Sequence, residues 1–268
     1  MGVIKGKNVI IKEGCIIEDN VVLEDNVYID YNCIIRENVT IKKGTFIGAN
    51  CILGEYTADF YKDRKVNNRP LVIGEESIIR SGSIIYSDSI IGDHFQTGHR
   101  VTIREKTKIG NHVSVGTLSD IQGDCEIGNY VRLHSNVFVA MKAKIEDYVW
   151  MFPHSVLTND PTPPSMVEKG VTLKKFASVA ARSVILPGVT VESDSLVAAG
   201  AVVNRDVKTG EVVGGNPAKV ISSTDKIRNH VTGEKVYPWR YTFERGMPWE
   251  GIGYEDWYKN VSDCPDME

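Results

Sequence analysis

Residues 11–53 read IKEGCIIEDNVVLEDNVYIDYNCIIRENVTIKKGTFIGANCIL, and they keep a beat of six. Stepping by six from Ile11 gives Ile17, Leu23, Ile29, Ile35, Ile41, Ile47 and Leu53. The step resumes at Ile73, runs through Ile103 and Leu133 to Leu157, then resumes at Val179 and ends at Val203. Of these 28 positions only Thr97 and Met151 are not Ile, Leu or Val. Neither a helical period of 3.6 nor simple alternation produces that spacing. Four residues after each aliphatic stands a small or β-branched residue, such as Cys15, Val21, Val27 or Cys33. Just before it comes Gly14, Asn20, Asn26 or Asn32, residue types that tolerate the left-handed backbone of a tight corner. Each hexad therefore predicts a short strand and a corner.

Three hexads close a triangular coil, so the chain is expected to be all-β, a hexapeptide parallel β-helix of about nine coils. At ~4.8 Å per stacked strand the prism would be roughly 45 Å long. The β-helix is assigned to residues 1–223 and is interrupted twice, at 55–71 and at 161–178. With the faces numbered from Ile11, both insertions leave the second face and re-enter on the third, so they project from one edge about five coils apart. The first holds Tyr56 and Arg64 among other aromatic and basic residues, which suits stacking on a base beside phosphates; a solvated loop with its aromatics packed on the prism is equally open. Residues 224–268 form a tail with 8 of the 22 aromatics, and Pro238 and Pro248 prevent one long helix. It is expected to hold a short helix or two and to pack over the open end or the side of the prism, covering a strand edge.

Composition narrows the function. The 31 basic and 35 acidic residues leave a charge of −4, which argues against general nucleic-acid or anionic-membrane binding. There is no apolar run of about 18 residues, and lysines break up the N-terminus, so a cytoplasmic protein is expected. Cys15, Cys33 and Cys51 are spaced by 18, one coil, and predict a buried thiol ladder; Cys125 is a further inward position and Cys264 lies in the tail. No metal is expected. His94 and His99 have an H-x4-H spacing that resembles the three-histidine zinc site of carbonic anhydrases built on hexapeptide β-helices. That resemblance implies a further His about two coils earlier, and none precedes His94.

Among the histidines, His134 follows inward Leu133 and should face outward. Its column, one coil apart, is Arg80, Gly98, Gly116, His134 and Phe152, which predicts a shallow trough with a cation at one end and an imidazole at the other. A base or substrate anchor fits there, and so does an interface histidine. His99 and Arg100 are candidates for sugar or diphosphate contact, whereas His94 and His112 share a corner column and read as turn residues.

The chain resembles the hexapeptide-repeat acyltransferases over roughly residues 3–221. GGNPAKVI at 214–221 is similar to that family's closing element. FQTGHRVTIREKTKIGNHVSVGT at 95–117, with LTND at 157–160, resembles the branch that N-acetylates nucleotide-linked amino sugars, in particular dTDP-3-amino-3,6-dideoxyhexoses. Relatives commonly continue T-N-D with P-R, whereas here Pro161 is followed by Thr162. The resemblance implies a left-handed coil, a homotrimer with sites between prisms, and acetyl-CoA as cosubstrate. It implies that Ala181, Ala199, Asn204 and Arg205 line the pantetheine and phosphate path and that Lys219 meets a CoA phosphate. It also makes Asn159 and Asp160 candidates to hold the sugar amine, against a plain turn leading into Pro161. Alternatives are a dTDP-4-amino or UDP-linked amino sugar, O-acetylation of a small acceptor, and a non-catalytic β-helix.

Overall fold

The computed structural model describes residues 2–65 and 69–262. Residues 66–68 of the first insertion and Cys264 lie outside them. The chain winds as a left-handed parallel β-helix whose three faces hold 12, 10 and 10 strands. Face 1 begins at Ile10–Ile11, face 2 at Ile16–Ile17, and face 3 at Ile4–Lys5. Strands of a face pair in parallel with partners one coil away, as in Arg132↔Trp150 and Leu133↔Met151.

Ten coils are present rather than nine, because two strands escape the hexad count. Ile4–Lys5 pairs with Val22–Leu23 in the first coil, where the repeat position is an exposed lysine. Thr172–Leu173 pairs with Lys144–Ile145 and Thr190–Val191, so the second insertion ends before residue 172 and not at 178. It still leaves face 2 after Val156–Leu157 and re-enters on face 3, as the first does after Ile52–Glu55.

The inward aliphatics, Leu23 through Val203, form one continuous buried core along the prism axis. Each buried Ile, Leu or Val contributes about 1.5–3 kcal/mol. Every corner needs one residue with positive φ: Asn20 at 56°, Gly44 at 68°, Asn50 at 59°. Cys15, Cys33 and Cys51 stack as expected, are unbridged, and donate their thiols to carbonyls of the next coil, Cys33 Sγ to Gly48 O at 3.1 Å. Burial pushes the Cys125 thiol up to about 11, so it stays protonated and inert.

The edge between faces 3 and 1 carries a ladder of rings at left-handed positions. His94 stacks on His112 at 4.5 Å, His112 on Tyr130 at 4.6 Å, and Tyr148 on Phe176 at 4.8 Å. The tail docks on this ladder, along the side of the prism. Trp249 is fully buried against it, and the Trp239 indole donates to Phe176 O at 3.0 Å. Arg240 pairs with Asp194 at the end of the ladder. Among the described residues the tail holds two 3₁₀ turns and one helix, Tyr254–Ser262. The last strand edge of face 1 is covered instead by Lys219–Ser223, which turns back antiparallel on Glu211–Gly214.

The corner argument makes a direct prediction. Asn50→Val, which puts a β-branched side chain at φ 59°, should lower stability by about 1–2 kcal/mol, and Asn50→Gly should change it little. Urea unfolding of the two variants checks this, and equal losses would contradict it.

Candidate active site

The predicted trough exists, as a groove of about 530 Å³ along the edge between faces 1 and 2. Gly98 and Gly116 form its floor because the coils pack too closely for a side chain. A Cβ on Gly98 would lie 2.3 Å from Thr117 N, and one on Gly116 2.4 Å from Ser135 N. Arg80 closes one end, its guanidinium donating to Thr97 O. His134 closes the other, stacked on Phe152 at 4.9 Å.

Two groups that the sequence reading missed make the trough strongly cationic. Arg132 is the outward neighbour of Leu133, in the same column as Gln96 and Ser114. Its guanidinium donates to Gly246 O at 2.8 Å, which ties the tail over the groove. Arg245 comes from that tail segment, beside Phe243. No acidic side chain lines the groove, and none of its three arginines pairs with a carboxylate among the described residues. Arg132 was legible as a column neighbour. Arg245 was not, because no repeat places the tail. By contrast, a groove of about 540 Å³ on face 3 mixes four lysines with Asp88, Asp124 and Glu126.

Most of the remaining candidates fall on the two edges that bound face 2. Ala181 and Ala199 continue the trough's own edge two and three coils beyond His134, with Gly200 N donating to Ala181 O at 2.9 Å. His99 and Arg100 lie on this edge too, against Thr117 and Leu118. Asn159, Asp160, Asn204 and Arg205 occupy the other edge, after the face 2 strands Val156–Leu157 and Val202–Val203. One chain therefore does not bring His134 and Asp160 together. The Asp160 carboxylate accepts from Ser165 Oγ at 2.6 Å, Ser165 N at 2.7 Å and Thr162 N at 3.0 Å, and these bonds hold it below the usual carboxylate range. It organises the mouth of its own loop. Lys219 is exposed on the closing strand.

Tyr56 and Arg64 are not at the trough. The Tyr56 ring lies between Phe60, at 3.8 Å, and the Arg36 guanidinium, at 4.2 Å, so the described part of the first insertion packs its aromatics on the prism and on each other. Arg64 ends a one-turn helix, Phe60–Asp63, and leans over the Phe60 and Tyr61 rings. Among the described residues no cluster of His, Cys, Asp and Glu could hold a metal ion, and no helix is long and apolar enough to cross a membrane.

The bacterial transferase hexapeptide model matches residues 20–55 and 106–140, and the hexapeptide repeat of succinyl-transferase matches 6–31 and 181–205. The chain therefore carries hexapeptide repeats that these models recognise, over less than half of its length. This hexapeptide-repeat protein is 40% identical over 75 residues to the 2,3,4,5-tetrahydropyridine-2,6-dicarboxylate N-acetyltransferase of Staphylococcus aureus, a match spanning 28% of this chain and 30% of that relative. Among solved structures it is similar to a hexapeptide-repeat acetyltransferase of Vibrio cholerae complexed with acetyl coenzyme A, at 25% identity and TM-score 0.36, over 42% of this chain and 70% of that one. It is also similar to the UDP-N-acetylglucosamine acyltransferase of Arabidopsis, at 16% identity and TM-score 0.46, over 82% and 74%.

In the hexapeptide-repeat protein His134 is half-buried with no carboxylate beside it, and desolvation lowers its pKa from 6.5. His112 is lowered as well, by burial and then by His94 and Arg132. Both bind fewer protons folded than unfolded, so stability declines as pH falls through 6.5 towards the folded-state values and is level above that range. The His134 imidazole should titrate by NMR with a midpoint below 6.5, leaving it neutral and able to accept a proton at pH 7. A midpoint at or above 6.5 would contradict the site's electrostatics.

Proposed function

We propose that this protein is an acetyl-CoA-dependent N-acetyltransferase acting on the amino group of a nucleotide-linked sugar, a dTDP-3-amino-3,6-dideoxyhexose on the resemblance of residues 95–117 and 157–160. The observation that carries this reading is the trough. Three guanidinium groups with no carboxylate partner among the described residues favour a diphosphate, and the groove ends on a neutral imidazole. The N-acetyltransferase activity named for the Staphylococcus aureus relative supports transfer to nitrogen.

In the reaction the sugar amine attacks the thioester carbonyl, the N–C bond forms, the C–S bond breaks, and CoA leaves as the thiolate. His134 is suited to take the proton that the amine loses, a contribution of roughly 10²–10⁴-fold. The departing thiolate is the other acceptor. Ala181 and Ala199 leave room for an extended pantetheine arm along the same edge, with Lys219 and a neighbouring copy's Asn204 and Arg205 towards the CoA phosphates.

The reading includes a homotrimer. From Ile16 and Ile34 to Val184 and Val202, the ten outward residues of face 2 are apolar except for Thr102 and Asp120. Burial raises the Asp120 carboxyl, and its Oδ1 is buried without a partner, as suits a residue awaiting a neighbour's donor. Three prisms that turn face 2 towards a common axis bring the trough edge of one copy against the Asn159–Asp160 edge of the next. His134 and Asp160 then differ in height by about one coil, ~4.8 Å.

Thiol release from acetyl-CoA should be rapid with one member of a panel of dTDP- and UDP-linked 3-amino and 4-amino sugars. With that acceptor His134→Ala should lower kcat by about 10²-fold or more. A silent panel despite acetyl-CoA binding would remove the amino-sugar assignment. Light scattering should give three times the 29.8 kDa chain mass, and Ile84→Glu on face 2 should reduce it. A monomeric wild type would contradict the shared site.

A further inference from the structure

The tail closes a second cavity, of about 660 Å³, against face 1. It stands immediately beyond the trough, and the two share Trp150 and Phe243 as walls. Its sides are aromatic and crossed: Trp150 meets Phe243 edge-on at 5.2 Å and Trp239 edge-on at 6.0 Å, and Phe152 and Tyr237 complete the surround. The packing is anchored, since Trp239 is 7% exposed and hydrogen-bonded through its indole, whereas Tyr241 at the opening is 53% exposed. The cavity's polar lining is the buried Ser178 on face 1 and the exposed Asn229, Glu234, Lys235 and Thr242 of the tail. Apolar aromatic walls with a few polar groups, at this volume, are the ordinary make-up of a small-molecule site.

We infer that this cavity binds the heteroaromatic ring of a nucleotide whose phosphates lie on Arg132 and Arg245. The inference rests on the reading of the trough as a diphosphate site, and it assigns the tail a role in substrate binding. A flat ring stacks on indole and phenyl walls whatever its identity. Its carbonyl and amino edge is met by the polar opening, and the shared walls keep the ring within one nucleotide's length of the arginines. An unbranched acyl chain would leave both the polar opening and the guanidinium groups unused. Two nucleotides in the proposed reaction carry such a ring, the acceptor's nucleoside diphosphate and the adenosine diphosphate of CoA.

The test measures binding of pyrophosphate, dTDP, UDP, ADP and CoA to the full chain by calorimetry. At least one nucleotide should bind roughly tenfold or more tightly than pyrophosphate. Val236→Trp, which fills the cavity from its tail wall, should abolish that advantage and leave pyrophosphate affinity unchanged. Tyr241→Ala, at the exposed opening, should reduce it selectively, and covers the case in which the larger substitution unfolds the tail. Loss confined to dTDP or UDP assigns the ring to the acceptor, and loss confined to ADP and CoA assigns it to the donor. If neither variant alters any nucleotide's affinity, or if no nucleotide exceeds pyrophosphate, the inference is overturned. Binding of free thymidine, uridine or adenosine without any binding of pyrophosphate would uphold the cavity and remove the trough assignment.

Discussion

The structure depends on one constraint: each coil must stack on the next in register, so every third hexad must repeat the same geometry. An inward aliphatic fills the core, and a residue with positive φ turns the corner. If either fails at one level, the error is passed to the strands above and below. That is why corners accept even Tyr148 and Phe176 at φ 61° and 65° when neighbouring rings compensate by stacking. The same constraint fixes where function can reside. Inward positions are consumed by the core, so chemistry is confined to outward positions, edges and insertions.

The three edges have taken different roles. The edge between faces 3 and 1 is structural, a ladder of rings on which the tail docks. The edge between faces 1 and 2 has Gly98 and Gly116 between Arg80 and His134, and the groove they leave is lined with cations. The edge between faces 2 and 3 carries both insertions and the Asn159–Asp160 pair. Face 2, bounded by the last two edges, is the apolar one. In a single chain it separates the polar candidates, and in an assembly around face 2 it is the surface that would unite them. The tail contributes twice, through Arg245 in the trough and through the aromatic walls beyond it.

Most of the fold was legible because the signal is repeated: a six-residue beat survives Thr97 and Met151. It failed at Lys5, an exposed position of the first coil, and at Leu173, where the insertion hides the restart. The trough was legible for the same reason, since Gly98, Gly116 and His134 occupy one column. What lay outside the repeat was not legible. The placement of Phe243, Arg245 and Trp249 is decided by long-range contacts with Arg132, Tyr148 and Phe176, for which the tail sequence carries no period. The Tyr56 cluster was legible as aromatic and basic, but its partner Arg36 stands a coil away in the fold.

The central claim is that the catalytic site is built from two copies of the chain. Complementation tests it directly: His134→Ala and Asp160→Ala proteins, each purified and each weakly active, are mixed, unfolded and refolded together, and assayed for thiol release from acetyl-CoA. Mixed assemblies pair the intact His134 edge of one variant with the intact Asp160 edge of the other, so activity should recover to a substantial fraction of the refolded wild type. Activity that stays at the average of the two separate variants would contradict a shared site and place both residues' roles within one chain.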